Sequence, residues 1–190
     1  MNAGGVQSLA KIEIPPVREG TAWWVAHTKP RQEKALAEDL RSLGLPSYLP
    51  LYERVTRSRR SGRMSRSWIP VFSSYVFLVA SPEDRQRVLR TQRVAQLLVV
   101  RDQSRLVTEL TQIQRVLSNP VEFRIHRGLK IGAWARVIRG PLLGTEGVVQ
   151  KRLSRMRLVL NVEMLGQCIS VEVLEDMLEA IPDSTFDRHG

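Results

Sequence analysis

A chain of 190 residues, 43% of them hydrophobic, has enough apolar material for one medium domain or two small ones and lacks the composition of a disordered chain. Its net charge of +10, from 29 Lys and Arg against 19 Asp and Glu, favours a polyanionic partner, nucleic acid above all. Cys168 is the single cysteine, which excludes an internal disulfide and a multi-cysteine zinc site, and no apolar run nears the ~18 residues that span a bilayer.

Residues 1–20, interrupted by Pro15 and Pro16, read as a flexible tail without the basic start and apolar stretch of a signal peptide, so the cytoplasm is the expected location. Thr21–Thr28, TAWWVAHT, is aromatic and β-branched and predicts a strand. Lys29-Pro30 punctuates the chain. Ala35, Leu36, Leu40 and Leu43 then recur at helical spacing over Gln32–Leu43, with Gly44 as the stop. Leu45–Tyr52 predicts a second strand, and Pro46 and Pro50 place it at an edge or bend.

Between Arg54 and Arg66 lie six arginines and no acid, with Ser61-Gly62 supplying turn chemistry near the middle. Strand-like flanks make this a projecting basic hairpin over 53–69, whose Arg57, Arg59, Arg60 and Arg63 are candidate nucleic-acid contacts. Trp68–Ala80 is the most hydrophobic segment and predicts a central strand. Ser81 can cap a helix that runs from Pro82 to about Arg90. Val94–Val100 predicts a strand, Arg105–Val107 a short one, and Thr108–Leu117 a helix with Leu110, Ile113 and Leu117 on one face, ended by Asn119-Pro120.

Residues 120–129 read as a linker. Beyond it the pattern changes to short β segments, Ala133–Ile138, Gly147–Leu153, Leu158–Met164 and Cys168–Val173, which predict a small barrel over 130–182 and a loose tail over 183–190. Leu and Arg residues between Lys151 and Leu165 have fair helix propensity, but Val148, Val149, Val159, Val162, Val171 and Val173 favour strands. Cys168 reads as a small core residue. His27, His126 and His189 are far apart in sequence, and neither a phosphate loop nor an H-E-x-x-H pair occurs, so neither catalysis, a metal nor a cofactor is expected.

Trp23-Trp24-Val25 opening a strand, then a basic turn, a helix and the Phe72–Phe77 segment, resembles the N-terminal (NGN) domain of the NusG family of transcription elongation factors. Gly132–Val149, GAWARVIRGPLLGTEGVV, resembles a KOW motif framed by Gly140, Gly144 and Gly147. The resemblance spans Ala22–Ile181 and implies an α+β fold. An N-terminal antiparallel sheet flanked by helices over 21–119 would precede a five-stranded KOW β-barrel.

The family's function is implied with it: docking on the clamp helices of the largest RNA polymerase subunit, with suppression of pausing or termination. The matching docking positions are Trp24, His27, Val71, Phe72, Tyr75 and Phe77. Strand alternation would put Val71, Ser73, Tyr75 and Phe77 on one face and Phe72, Ser74, Val76 and Leu78 on the other. Likeness to RfaH-type relatives implies contact with the non-template DNA strand through Lys29, Arg31, Gln32, Lys34, Thr91, Gln92 and Arg93, while the arginine hairpin could reach upstream DNA or polymerase. The barrel implies Rho or a small-subunit ribosomal protein as partner, met by Met164, Leu165, Gly166, Gln167 and Ile169. A monomer without membrane contact is expected.

Two departures stand out. Ser73-Ser74 occupies the place where the family usually has Pro-Gly, and Trp23-Trp24 replaces the commoner Trp-Tyr. With the arginine hairpin and short linker, they favour a specialised paralogue over a housekeeping member. A KOW-containing ribosome- or RNA-binding structural protein is the alternative from another class, and a second domain that switches to helices is a third.

Overall fold

The computed structural model describes residues 13–127, 132–152 and 155–181. Residues 1–12 of the expected tail over 1–20, the expected tail over 183–190, and the end of the expected linker at Gly128-Leu129 lie outside the described residues. The chain divides into two compact units, Met1–Gln103 and Ser104–Gly190.

In the first unit, β1 (Ala22–Thr28), β2 (Ser47–Tyr48), β5 (Tyr75–Ala80) and β6 (Val94–Val99) form an antiparallel sheet in the order β2-β5-β1-β6. Helices α1 (Glu33–Ser42) and α2 (Asp84–Arg90) lie in the connections. Leu36, Ala37 and Leu40 make α1 amphipathic and pack into one apolar cluster with Ala26, Val76, Leu78, Ala80 and Val88. Cross-strand register separates the two faces of the sheet. Trp24 opposite Leu78 and Ala26 opposite Val76 belong to the face of that cluster, whereas Trp23 opposite Val79, Val25 opposite Phe77 and His27 opposite Tyr75 belong to the other.

The hydrophobic run Trp68–Ala80 is not one strand. It contributes the end of β4 (Met64–Pro70), a turn, and then β5. The turn places Ser74 at φ 68°, in the left-handed region where an extended strand cannot continue. The basic segment forms an antiparallel hairpin of β3 (Leu51–Arg57) and β4, paired only with each other in a sheet of two.

Helix α3 (Gln103–Leu117) begins at the division between the units. Arg105–Val107, expected as a short strand, lies inside it. Leu106, Leu110, Ile113 and Val116 recur at helical spacing and are all buried, so the helical period prevails over a local branched pair. At its first residue, the Gln103 side-chain amide accepts from Trp23 N–H (2.7 Å) and donates to Trp23 C=O (3.1 Å) and Val100 C=O (2.9 Å).

The described residues of the second unit form six strands in the order β12-β8-β9-β10-β11-β7, all antiparallel, against the five expected. They are β7 (Phe123–Arg127), β8 (Ala133–Val137), β9 (Glu146–Arg152), β10 (Arg155–Val162), β11 (Gln167–Val173) and β12 (Leu178–Ala180). The extra strand comes from the expected linker: Phe123–Arg127 pairs with Gln167–Val171 of β11 and satisfies backbone groups that a loop would leave to water. Leu158, Val159 and Leu160 are consecutive and all buried, so β10 buries both faces. Cys168 is a fully buried thiol packed with Val148, Val159 and Trp134.

The glycine-framed turn between β8 and β9 closes as its sequence dictates. Gly144 has φ 76° and donates its N–H to Val137 C=O at 2.7 Å. Gly147 has an ordinary φ but faces β10 so closely that a Cβ there would lie 2.5 Å from Val159 C=O. No helix among the described residues is long and apolar enough to cross a membrane.

Candidate functional site

Three turns meet at one end of the first sheet. Thr28 N–H donates to Ser74 C=O at 2.8 Å, and Lys29 N–H donates to Arg93 C=O at 2.8 Å. These bonds join the turn after β1, the Ser73-Ser74 turn and the Thr91–Arg93 turn. Each turn holds one non-glycine residue in the left-handed region: Arg31 (φ 60°), Ser74 (φ 68°) and Gln92 (φ 58°). Such conformations cost of order 1 kcal/mol each and persist where surroundings hold them. Glu33, buried in the first turn of α1, supplies one such hold by accepting Ser74 N–H at 2.7 Å. Ser74 thus takes a glycine-like backbone without being glycine.

The seven rim residues named from the sequence fall into two groups. Gln32, Thr91 and Arg93 are committed internally: Arg93 binds the Asp39 carboxylate and the Gln32 Oε1 (2.5 Å), while Thr91 Oγ1 donates to Val88 C=O (2.7 Å). Lys29, Arg31 and Gln92 are exposed and Lys34 is half-buried. Asp39 partly neutralises Arg93, so Lys29, Arg31 and Lys34 carry the positive field of this rim.

The six expected docking residues do not form one surface. Trp24 is on the helix-packed face, its indole N–H donating to Ala80 C=O at 3.2 Å. Val71, Phe72 and Phe77 are buried, at 2%, 1% and 0% exposure. Phe72 meets Phe77 edge to face with centroids 6.2 Å apart, which corrects the simple alternation: the turn at Ser74 returns Phe72 to the side of Phe77. His27 and Tyr75 remain, half-exposed on adjacent strands with ring centroids 5.1 Å apart. Val25 and Phe77 are buried on the same face as that half-exposed pair, with Phe72 packed against Phe77.

In the second unit, Met164, Leu165, Gly166 and Gln167 are half-buried on and just after a 3-10 turn, with Gly166 left-handed at φ 60°. Ile169 is fully buried in β11 and cannot meet a partner there.

Sequence reasoning missed Glu109. It lies on the apolar face of α3, where its carboxylate accepts Glu163 N–H at 3.2–3.3 Å and Arg105 reaches both Glu109 (3.4 Å) and Glu163. Burial pushes its pKa up to about 7, against the lowering effect of the Glu163 N–H and Arg105. Beside it, Gln112 Oε1 accepts Glu146 N–H at 3.4 Å. The signal was present: Glu109 stands three residues after Leu106 and four before Ile113, a core position by spacing.

Residues 21–117 match the family model described as NusG, "Transcription termination factor nusG". The chain belongs to the NusG family. The NusG match covers the first sheet, the three rim turns, the hairpin and α3. No curated protein matches this NusG-family chain. Among solved structures it is similar to a chain of the "Crystal Structure of MjSpt4:Spt5 complex conformation B", at 17% identity over 84% of this chain and 96% of that one, with a TM-score of 0.27.

Proposed function

We propose that this chain is a non-enzymatic, cytoplasmic transcription elongation factor that acts as a monomer. It docks on the clamp helices of the largest RNA polymerase subunit and suppresses pausing or termination. Its second unit acts as a KOW module and recruits Rho or a small-subunit ribosomal protein through Met164–Gln167. The observation that carries the docking reading is the His27–Tyr75 pair, aromatic and half-exposed beside the buried Val25 and Phe77 on the same face of the sheet. Amphipathic rings are what an interface anchor requires, since they bury area at little entropy cost.

Lys29, Arg31, Lys34 and Gln92, with the hairpin arginines, contact non-template or upstream DNA in this reading. Lys and Arg supply salt-dependent phosphate attraction, and Gln92 a polar group for a base edge. The hairpin also favours a specialised antiterminator over a housekeeping member. Residues Glu53–Arg66 hold six arginines and one glutamate, +5 of the chain's net +10.

The test is capture of core RNA polymerase by wild type and by a His27→Ala, Tyr75→Ala double variant. Strong loss of capture is expected. Undiminished capture by a folded double variant refutes the surface. Tight binding to structured RNA with no polymerase capture by the wild type replaces the reading with that of an RNA-binding structural protein.

A further inference from the structure

We propose that the β3–β4 hairpin is an arm for double-stranded DNA that enters the major groove as a two-stranded ribbon. The proposal rests on the reading of this chain as a factor working beside nucleic acid, and it specifies the class. The ladder runs in unbroken antiparallel register from Leu51 opposite Pro70 to Arg57 opposite Met64, seven residues a strand. At about 3.4 Å per residue this gives a stem of ~24 Å. A two-stranded ribbon is an element that the B-form major groove, about 12 Å wide, admits.

Register sorts the side chains into two unlike faces. Val55 opposite Arg66 and Arg57 opposite Met64 make one face cationic and apolar. Val55 and Met64 share this face and are 47% and 57% exposed. Arg54 opposite Ser67 and Thr56 opposite Ser65 make the other face hydroxyl-rich. Guanidinium and apolar groups suit base edges and thymine methyls, and hydroxyls suit phosphate oxygens.

The tip is ordered from within. Ser58 N–H donates to Arg63 C=O and Gly62 N–H to Ser58 C=O, both at 2.9 Å, while Ser58 Oγ accepts Ser61 N–H at 3.2 Å. Arg59, Arg60 and Arg63 are exposed at this tip and pair with no carboxylate among the described residues. Only Arg66 has an acid near it on the hairpin, Glu53 at 3.6 Å.

The same stretch argues against other nucleic acids. Single strands are held by stacking on aromatic rings, and Glu53–Ser67 contains no Phe, Trp or Tyr; Tyr52 and Trp68 at the base are half-buried. The deep, narrow major groove of A-form RNA does not admit a ribbon carrying arginines on both faces.

The experiment titrates the full chain onto a labelled DNA duplex of about two helical turns, its single strand, and the same sequence as duplex RNA, over about 50–200 mM salt. Duplex DNA is expected to bind tightest. An R59Q/R60Q/R63Q variant should lower the slope of log K against log salt by about 2–3. A V55S/M64S variant should weaken duplex binding several-fold at unchanged slope, the mark of a non-ionic contact. Capture of core polymerase should be retained in both variants. Tighter binding of the single strand or of duplex RNA overturns the proposal. So does a hairpin variant that keeps full DNA affinity and slope, or one that loses polymerase capture with DNA binding intact, which would make the arm a protein contact. Loss of polymerase capture by the wild type would refute the family function and leave the duplex result standing.

Discussion

Replacing Glu109 by Gln tests how the buried carboxyl on α3 shapes the stability of the second unit. Glu109 titrates near 4.5 when unfolded and near 7 in the folded chain, raised by burial. Its folded form therefore holds a proton more tightly, and stability falls as pH rises through that interval. At about 1.36 kcal/mol per pH unit, the wild type loses roughly 2–3 kcal/mol between pH 5 and 8 from this group. Gln keeps an oxygen for Glu163 N–H and cannot ionise, so the variant should lack this component. Arg105 and Glu146 line the pocket beside Glu109, Glu163 pairs with Arg105, and all three remain in both proteins. Thermal or urea unfolding of both proteins at pH 5, 6, 7 and 8 reads the effect. Glu109→Gln should gain on the wild type with rising pH, most steeply between pH 5 and 7. A wild-type-minus-variant difference that stays constant across the series would show that Glu109 is solvated and that the reasoning is wrong.

Ser74→Gly should stabilise the first unit by roughly 0.5–1 kcal/mol, because relief of the left-handed conformation outweighs the added freedom of the unfolded chain; a lower midpoint in urea would refute it. Gly147→Ala should cost about 1–3 kcal/mol, since its Cβ would strike the backbone of β10 and not a movable side chain, and a melting temperature equal to wild type would contradict this. Phe77→Ala should cost about 3–5 kcal/mol by opening a cavity at a fully buried site, while Tyr75→Ala, half-exposed, should cost about 1 kcal/mol or less. Circular dichroism melts of the two single variants check this contrast. Polymerase capture is informative only for the variant that remains folded.

The fold was legible where periodicity was long or turn chemistry strong. TAWWVAHT gave β1, and the spacing of Leu36 and Leu40 gave α1. Reading failed where one local pattern concealed two elements. Trp68–Ala80 is apolar on both sides of Ser73-Ser74, and the chain turns there, where a buried Glu33 far off in sequence holds Ser74 in a conformation that serine rarely adopts alone. Phe123–Arg127 looked like a linker because its arginines and histidine suggest solvent. It is instead a strand recruited by the free side of β11, where His126 Nε2 and Ser170 Oγ lie 2.8 Å apart.

The candidate site was legible as chemistry and not as arrangement. Aromatic and basic residue types can be picked from the sequence, but which of them face outward depends on pairing register. Trp24 and His27 are three apart and so lie on opposite faces, and Phe77 and Tyr75 share a face but differ wholly in depth. Gln32 and Arg93 were chosen as contacts and instead bind each other. Side chains that read as free cations in a list become internal struts once a carboxylate such as Asp39 arrives from another turn.

The lone thiol has a use that does not depend on any partner. Cys168 sits fully buried in β11, between β10 and β7, and no other sulfhydryl in the chain competes with it for reagent. Under native conditions an alkylating probe can reach it only when this sheet opens. Its labelling rate, set against that of an exposed thiol, is therefore a direct clock for the opening of the second unit alone, in the intact chain and while the first unit is engaged elsewhere.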